Sequence, residues 1–166
     1  MRRRVDDFSE QDIDKHLGRA LAHLTERDAV LFTLNANERS LAFRLALYLA
    51  EEFPDFDVDC EYNRHHLDPR HRKRLHAPEL LNLAGRQPSL EDSDGLTVFP
   101  DIIVHHRETD DNLLVIEIKK STSPVKEDFD LAKLGVYRKE IGYRFAKFIR
   151  LGTHGGDSMI VANRFV

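Results

Sequence analysis

Three charged residues interrupt stretches that otherwise read as dry core. Asp101 lies in Phe99-Pro100-Asp101-Ile102-Ile103-Val104, and Glu117 and Lys119 lie in Leu114-Val115-Ile116-Glu117-Ile118-Lys119. Apolar, β-branched flanks of this kind predict strands buried on both faces. An ionised side chain in such a place costs several kcal/mol unless it is paired or bound to a metal. Arg107 to Asn112 is a polar connection of hairpin length. A turn centred near Thr109 or Asp110 sets Asp101 opposite Glu117 or Lys119. Glu117 and Lys119, two residues apart, then share one face with Asp101, while Ile116 and Ile118 pack the other. Two neighbouring carboxylates repel, and a hard divalent cation, Mg²⁺ or Mn²⁺, relieves the repulsion. A cation held there can orient or deprotonate water and neutralise charge on a phosphoryl oxygen, leaving Lys119 to steer the nucleophile or stabilise the transition state. In outline this is phosphodiester hydrolysis. The plain alternative is a cross-strand salt bridge.

The elements that must position these residues are legible on either side. Ile13, Leu17, Leu21 and Leu24 recur at helical spacing after Ser9, a cap, which predicts an amphipathic leading helix within residues 1–28. The run Ala29 to Leu34 is too short to classify. A helix is expected from Glu38 to Glu52, capped by Asn35 or Asn37 and ended by Pro54, with Leu41, Ala42, Leu45 and Leu49 on one side and Phe43, Leu47 and Ala50 on another. Its apolar character around much of its circumference predicts near-complete burial. Alternation from Phe56 to about Asn63 reads as a strand. The two strands of the charged residues are expected over Val98 to His106 and Leu113 to Lys120. Ser123 and Pro124 then open a helix running from about Val125 to Ile141. Strands Phe145 to Leu151 and Met159 to Phe165 follow, around a turn at Gly155-Gly156.

Pro100-Asp101, a gap, and Glu117-Ile118-Lys119 together resemble the signature of the PD-(D/E)xK nuclease superfamily, and the element order is similar to that family's core. The resemblance implies an α/β fold with a restriction-endonuclease-like core: a central mixed β-sheet flanked by helices in the order α-β-β-β-α-β. It implies Mg²⁺ or Mn²⁺ held by Asp101, Glu117 and Ile118, the last able to ligate only through its main-chain oxygen. Holliday-junction resolvases and RecB-like nucleases also carry a glutamate on the first core helix. Glu38 matches that position, and Glu61, at a strand end, is the other candidate for the additional ligand. Some relatives have a Gln-x-x-x-Tyr pair on the second core helix. Here Lys133-x-x-x-Tyr137 stands in its place, two residues on one helical face able to contact a phosphate.

Residues 64–97 read as an insertion whose first part, Arg64 to His76, concentrates positive charge: Arg70, Arg72, Lys73 and Arg74 make it either a nucleic-acid arm or a solvated loop. Pro78 to Leu83 is a candidate short helix and Gln87 to Gly95 a loop. His65-His66 and His105-His106 lack the spacing of common zinc sites. The 166 residues fit one domain with a full core, and 33% charged against 41% hydrophobic residues with only 6 Pro and 8 Gly excludes disordered and fibrous classes. One cysteine, Cys60, excludes an internal disulfide. Acids at Asp6, Asp7 and Glu10 stand where an export signal needs an apolar stretch, and no run is long enough for a bilayer, so a cytoplasmic protein is expected. The expected substrate is nucleic acid, DNA first, at a net charge of -4 that favours local over global attraction. The leading helix from Ser9 offers a homodimer interface. A nuclease-fold module that only binds nucleic acid or protein is the rival, and a small-molecule phosphatase a third.

Overall fold

A computed structural model describes residues 3–62, 74–75, 96–97, 99–124, 126–153 and 159–166. Outside them lie most of the basic insertion, the candidate helix Pro78 to Leu83, the loop Gln87 to Gly95 and the glycine turn. After a single 3-10 turn at Val5–Asp7, helix α1 spans Glu10–Arg27. Ser9 caps it by accepting from the Asp12 amide, and Asp12 returns a bond to the Ser9 amide. The unclassified run forms a five-residue helix, α2 (Ala29–Thr33). Helix α3 covers Glu38–Glu52, with Asn37 accepting from the Ser40 amide.

Five strands make one mixed sheet: β1 (Asp57–Cys60), β4 (Ile102–His105), β5 (Asn112–Lys120), β6 (Phe145–Leu151) and β7 (Ile160–Phe165), side by side in that order. Two-residue strands β2 (Arg74–Leu75) and β3 (Leu96–Thr97) pair apart from it. The β4–β5 hairpin pairs Ile102 with Ile116 and Val104 with Leu114, the register of a turn centred at Thr109 rather than Asp110, with one shift between Val104 and His105. Glu108 takes the left-handed conformation in that turn (φ 62°). β5 then pairs with β6 in parallel, so the chain must cross over between them, and it does so through helix α4 (Asp128–Val136) and a π-helical turn at Tyr137–Ile141. Gly142, at φ 79°, ends that turn in a conformation that favours glycine.

The sheet separates two cores. On one face Ile102, Val104, Leu114, Ile116, Ile118 and Ile149 pack against α1 and α3. On the other Ile103, Val115, Ala146 and Phe148 pack against Leu134, Val136 and Tyr137 of the crossover. No helix among the described residues is long and apolar enough to cross a membrane.

Three expectations are corrected. Helix α3 is buried on one side only: Phe43 is 56% and Leu47 42% exposed, and Ala50 is exposed too, because among the described residues it packs chiefly on α1 and one face of the sheet. β4 begins at Ile102 rather than Val98, since Pro100 has no amide to donate to a ladder and Asp101 lies in a bend. Helix α4 begins at Asp128, after a turn at Ser121 and Thr122. Ser123 therefore does not cap it, and Glu127, its N-cap position, is tied instead to Arg150 (2.8 Å) and Arg164 of the sheet. Asn37→Ala is expected to cost about 1 kcal/mol, read as a lower urea midpoint at unchanged slope, because it strips the cap from the helix that presents Glu38.

Candidate active site

The β4–β5 ladder ends at Ile102 and Ile116, and beyond it β5 runs on without β4 beside it. Side chains complete that open edge. Asp101 accepts the Ile118 amide through Oδ2 at 2.7 Å, and two residues further Glu38, first residue of α3, accepts the Lys120 amide through Oε1 at 2.9 Å. Amides two residues apart on a strand are about 7 Å apart. The two carboxylates are thereby lined up along one edge, each with a second oxygen turned away from its bond. Lys120 itself turns back to Asn35 and Ala36, as expected for a side chain on the face opposite Lys119.

Glu117 and Lys119 point to the α4 face and are 1% and 8% exposed. Helix α4 answers each with its opposite. Lys133 Nζ lies 2.7 Å from Glu117 Oε2, and Asp130 Oδ2 lies 2.7 Å from Lys119 Nζ. Lys133 also donates to the Phe99 carbonyl at 3.3 Å. Glu117 Oε1 and the Tyr137 hydroxyl are both buried with no hydrogen-bond partner among the described residues.

Glu38, Asp101, Glu117, Lys119, Asp130 and Lys133 form one electrostatic cluster. With all six ionised, four acids face two lysines, an excess of two negative charges. Burial raises the Glu117 pKa well above the usual range; Lys133 opposes the rise, and Asp101 and Asp130 add to it. Asp101 is raised by burial and by Asp130 and Glu38, against the Ile118 amide and Lys133. Burial opposes the charge on Lys119, yet the Asp130 contact and the nearby acids prevail and raise its pKa. A divalent cation carries the charge this cluster lacks, and its donors are the hard oxygens that Mg²⁺ and Mn²⁺ take. The residues able to hold one are Asp101, Glu117, Glu38 and the Ile118 carbonyl. No ready-made cage of three or more acid, His or Cys side chains exists among the described residues. Glu117 is engaged by Lys133, so cation binding needs a rearrangement at α4.

A cleft of about 110 Å³ opens beside Asp101, walled by Arg39, Ala42, Cys60 and Glu61. Glu61, the alternative ligand, holds a left-handed backbone (φ 49°), donates its amide to the Pro100 carbonyl at 3.1 Å and turns its carboxylate to Arg39 at 2.8 Å. It belongs to the cleft wall rather than to the buried cluster. Burial, then the charges of Asp101, Asp59 and Glu61, push the Cys60 thiol up to about 11, so it stays protonated and is no nucleophile.

Lys133 and Tyr137 do share a helical face, but it is the inward one: they are 7% and 2% exposed and lie against Glu117 rather than on the surface. Arg70, Arg72 and Lys73 lie outside the described residues, as does the side chain of Arg74. Sequence reasoning missed Asp130. Its signal was present, since Asp130, Lys133 and Tyr137 follow at three- and four-residue steps along one helical face. Burial, with Glu117 beside it, pushes the Tyr137 pKa far up and keeps its hydroxyl protonated. Tyr137→Phe is expected to leave stability unchanged or raise it by about 1 kcal/mol, because it deletes an unsatisfied buried group. A clear fall in melting temperature would reveal a partner for the hydroxyl. Comparison of the chain with protein-family models, curated proteins and solved structures finds no match.

Proposed function

We propose that this chain is a metal-dependent nuclease with a restriction-endonuclease-like core, hydrolysing phosphodiester bonds in DNA. The observation that carries the reading is the convergence, at the open end of the β4–β5 ladder, of Asp101, Glu117 and Lys119 with Glu38 from α3, in a cluster that is two positive charges short of neutral when all six of its groups are ionised. A bound divalent cation would supply an activated water and neutralise the phosphate. The chain's own groups do the rest. Asp101 and Glu38, each fixed through one oxygen to a β5 amide, offer the other without conformational search, so little ordering entropy remains to be lost. Lys119, held in direction by Asp130, donates to the attacking water or to the phosphoryl oxygen on which charge grows. Attack of water on phosphorus and departure of the alkoxide leave a phosphomonoester and an alcohol.

Purified protein is expected to nick or degrade DNA with Mg²⁺ or Mn²⁺ and not with EDTA, and calorimetry is expected to show Mn²⁺ binding that Glu117→Gln abolishes. One observation favours a second reading. Glu117 and Lys119 are each already matched by a charge on α4, as a nuclease-fold module working only in recognition would have them. Such a module would retain DNA without cutting it and would ignore Mn²⁺.

A further inference from the structure

We propose that Lys133 is the built-in counter-ion of the site, a competitor whose displacement from Glu117 sets how tightly a divalent cation binds. The inference rests on reading the cluster as a cation site and assigns a positioning role to a residue of α4. Lys133 Nζ stands 2.7 Å from Glu117 Oε2 with both side chains almost fully buried, 9% and 2% exposed. The second oxygen, Oε1, has no hydrogen-bond partner among the described residues. A dication on Oε1 would lie within about 5 Å of the ammonium, a like-charge approach that burial leaves poorly screened. Cation and ammonium therefore oppose one another, whichever oxygen the cation takes.

The ammonium has somewhere to go. Lys133 reaches the Phe99 carbonyl at 3.3 Å, and Phe99 is 43% exposed at the edge of the cluster. A lysine stem pivots readily, so an ammonium that leaves Glu117 keeps the Phe99 carbonyl within reach at the more exposed edge. Lys133 is the one opposite charge that Glu117 meets across this contact. Asp130, three residues earlier on α4, keeps Lys119 in place throughout.

Mn²⁺ titration calorimetry on the full chain and on Lys133→Met and Lys133→Gln tests this, with circular dichroism as a check on folding. Lys133→Gln can still donate to Glu117 and carries the comparison where the methionine variant does not fold. Affinity about tenfold or more higher in the variants is expected, equivalent to about 1.4 kcal/mol. The gain should survive about 1 M NaCl, where the screening length falls to about 3 Å. Binding in the variants with none detectable in the unaltered chain is the same result at its limit. Unchanged or weaker affinity while the unaltered chain does bind overturns the role of Lys133 and spares the cation site, as does a gain that vanishes in salt. Absence of binding in every form removes the cation site, and this role with it.

Discussion

Asp101→Asn and Lys119→Met are each expected to lower Mg²⁺- or Mn²⁺-dependent DNA cleavage by on the order of 10³-fold, with the far-ultraviolet dichroism of a folded chain retained. Asparagine keeps one oxygen to accept the Ile118 amide at the end of the ladder and replaces the other with an uncharged NH2, so a loss of rate reports the charged cation ligand rather than the ladder bond. Methionine keeps the length of Lys119 and removes the donor aimed at the reacting phosphate. It leaves Asp130 buried without its ion partner, a change that can cost about 3 to 5 kcal/mol and makes the melting curve an essential companion measurement. Nicking of supercoiled plasmid is a sensitive readout for both. Cleavage at the unaltered rate in both variants would end the catalytic reading.

The second large effect is a pH dependence of stability that divalent metal reverses. Around Glu117 stand Lys133, Asp130 and Tyr137 from the crossover and Asp101 from the bend before β4, and burial outweighs the one favourable charge. Its folded pKa, like that of Asp101, is raised. An acid with a raised folded pKa contributes stability that is fully present below its unfolded value, 4.5 for Glu117 and 3.8 for Asp101, and that is lost as pH rises through the folded value. The metal-free chain should lose stability as pH climbs from the ordinary carboxylate range, at about 1.4 kcal/mol for each unit of pKa difference. Asp59 acts with the opposite sign. His105 and Arg107 overcome its burial and lower it to about 2, so its contribution is present above 3.8 and lost as pH falls through about 2. Mn²⁺ needs the ionised carboxylates, and its stabilisation should grow over the range in which the metal-free protein weakens. Thermal unfolding between acid and neutral pH, with Mn²⁺ and with EDTA, checks this. Parallel curves would show that the buried acids are not the metal's partners.

Periodicity located the elements that carry the candidate site. The 3.6-residue pattern from Ser9 and the Asn37-capped helix at Glu38 appear at the expected bounds, and the turn near Thr109 or Asp110 narrowed the hairpin to two registers, of which the structure takes the one that pairs Ile102 with Ile116. What the sequence hid is tertiary. Exposure of Phe43 and Leu47 depends on which neighbours cover α3, and hydrophobicity alone does not tell a covered face from a bare one. The charges of α4 were hidden for the same reason. Lys133 and Tyr137 at helical spacing fit an outward face as well as an inward one, and only the parallel β5–β6 crossover brings that helix over Glu117. The late start of α4 reflects a turn after β5 that no capping pattern announces.

The carboxylates of Asp101 and Glu38 have a mechanical consequence as well. Where β4 stops short, β5 would present bare amides at Ile118 and Lys120, the kind of raw margin onto which a foreign strand can zip. These two side chains plug that margin, each committing one carboxylate oxygen to a strand amide that would otherwise be open to a partner strand. Truncation to alanine at either position unplugs it and is expected to promote association through the exposed strand margin.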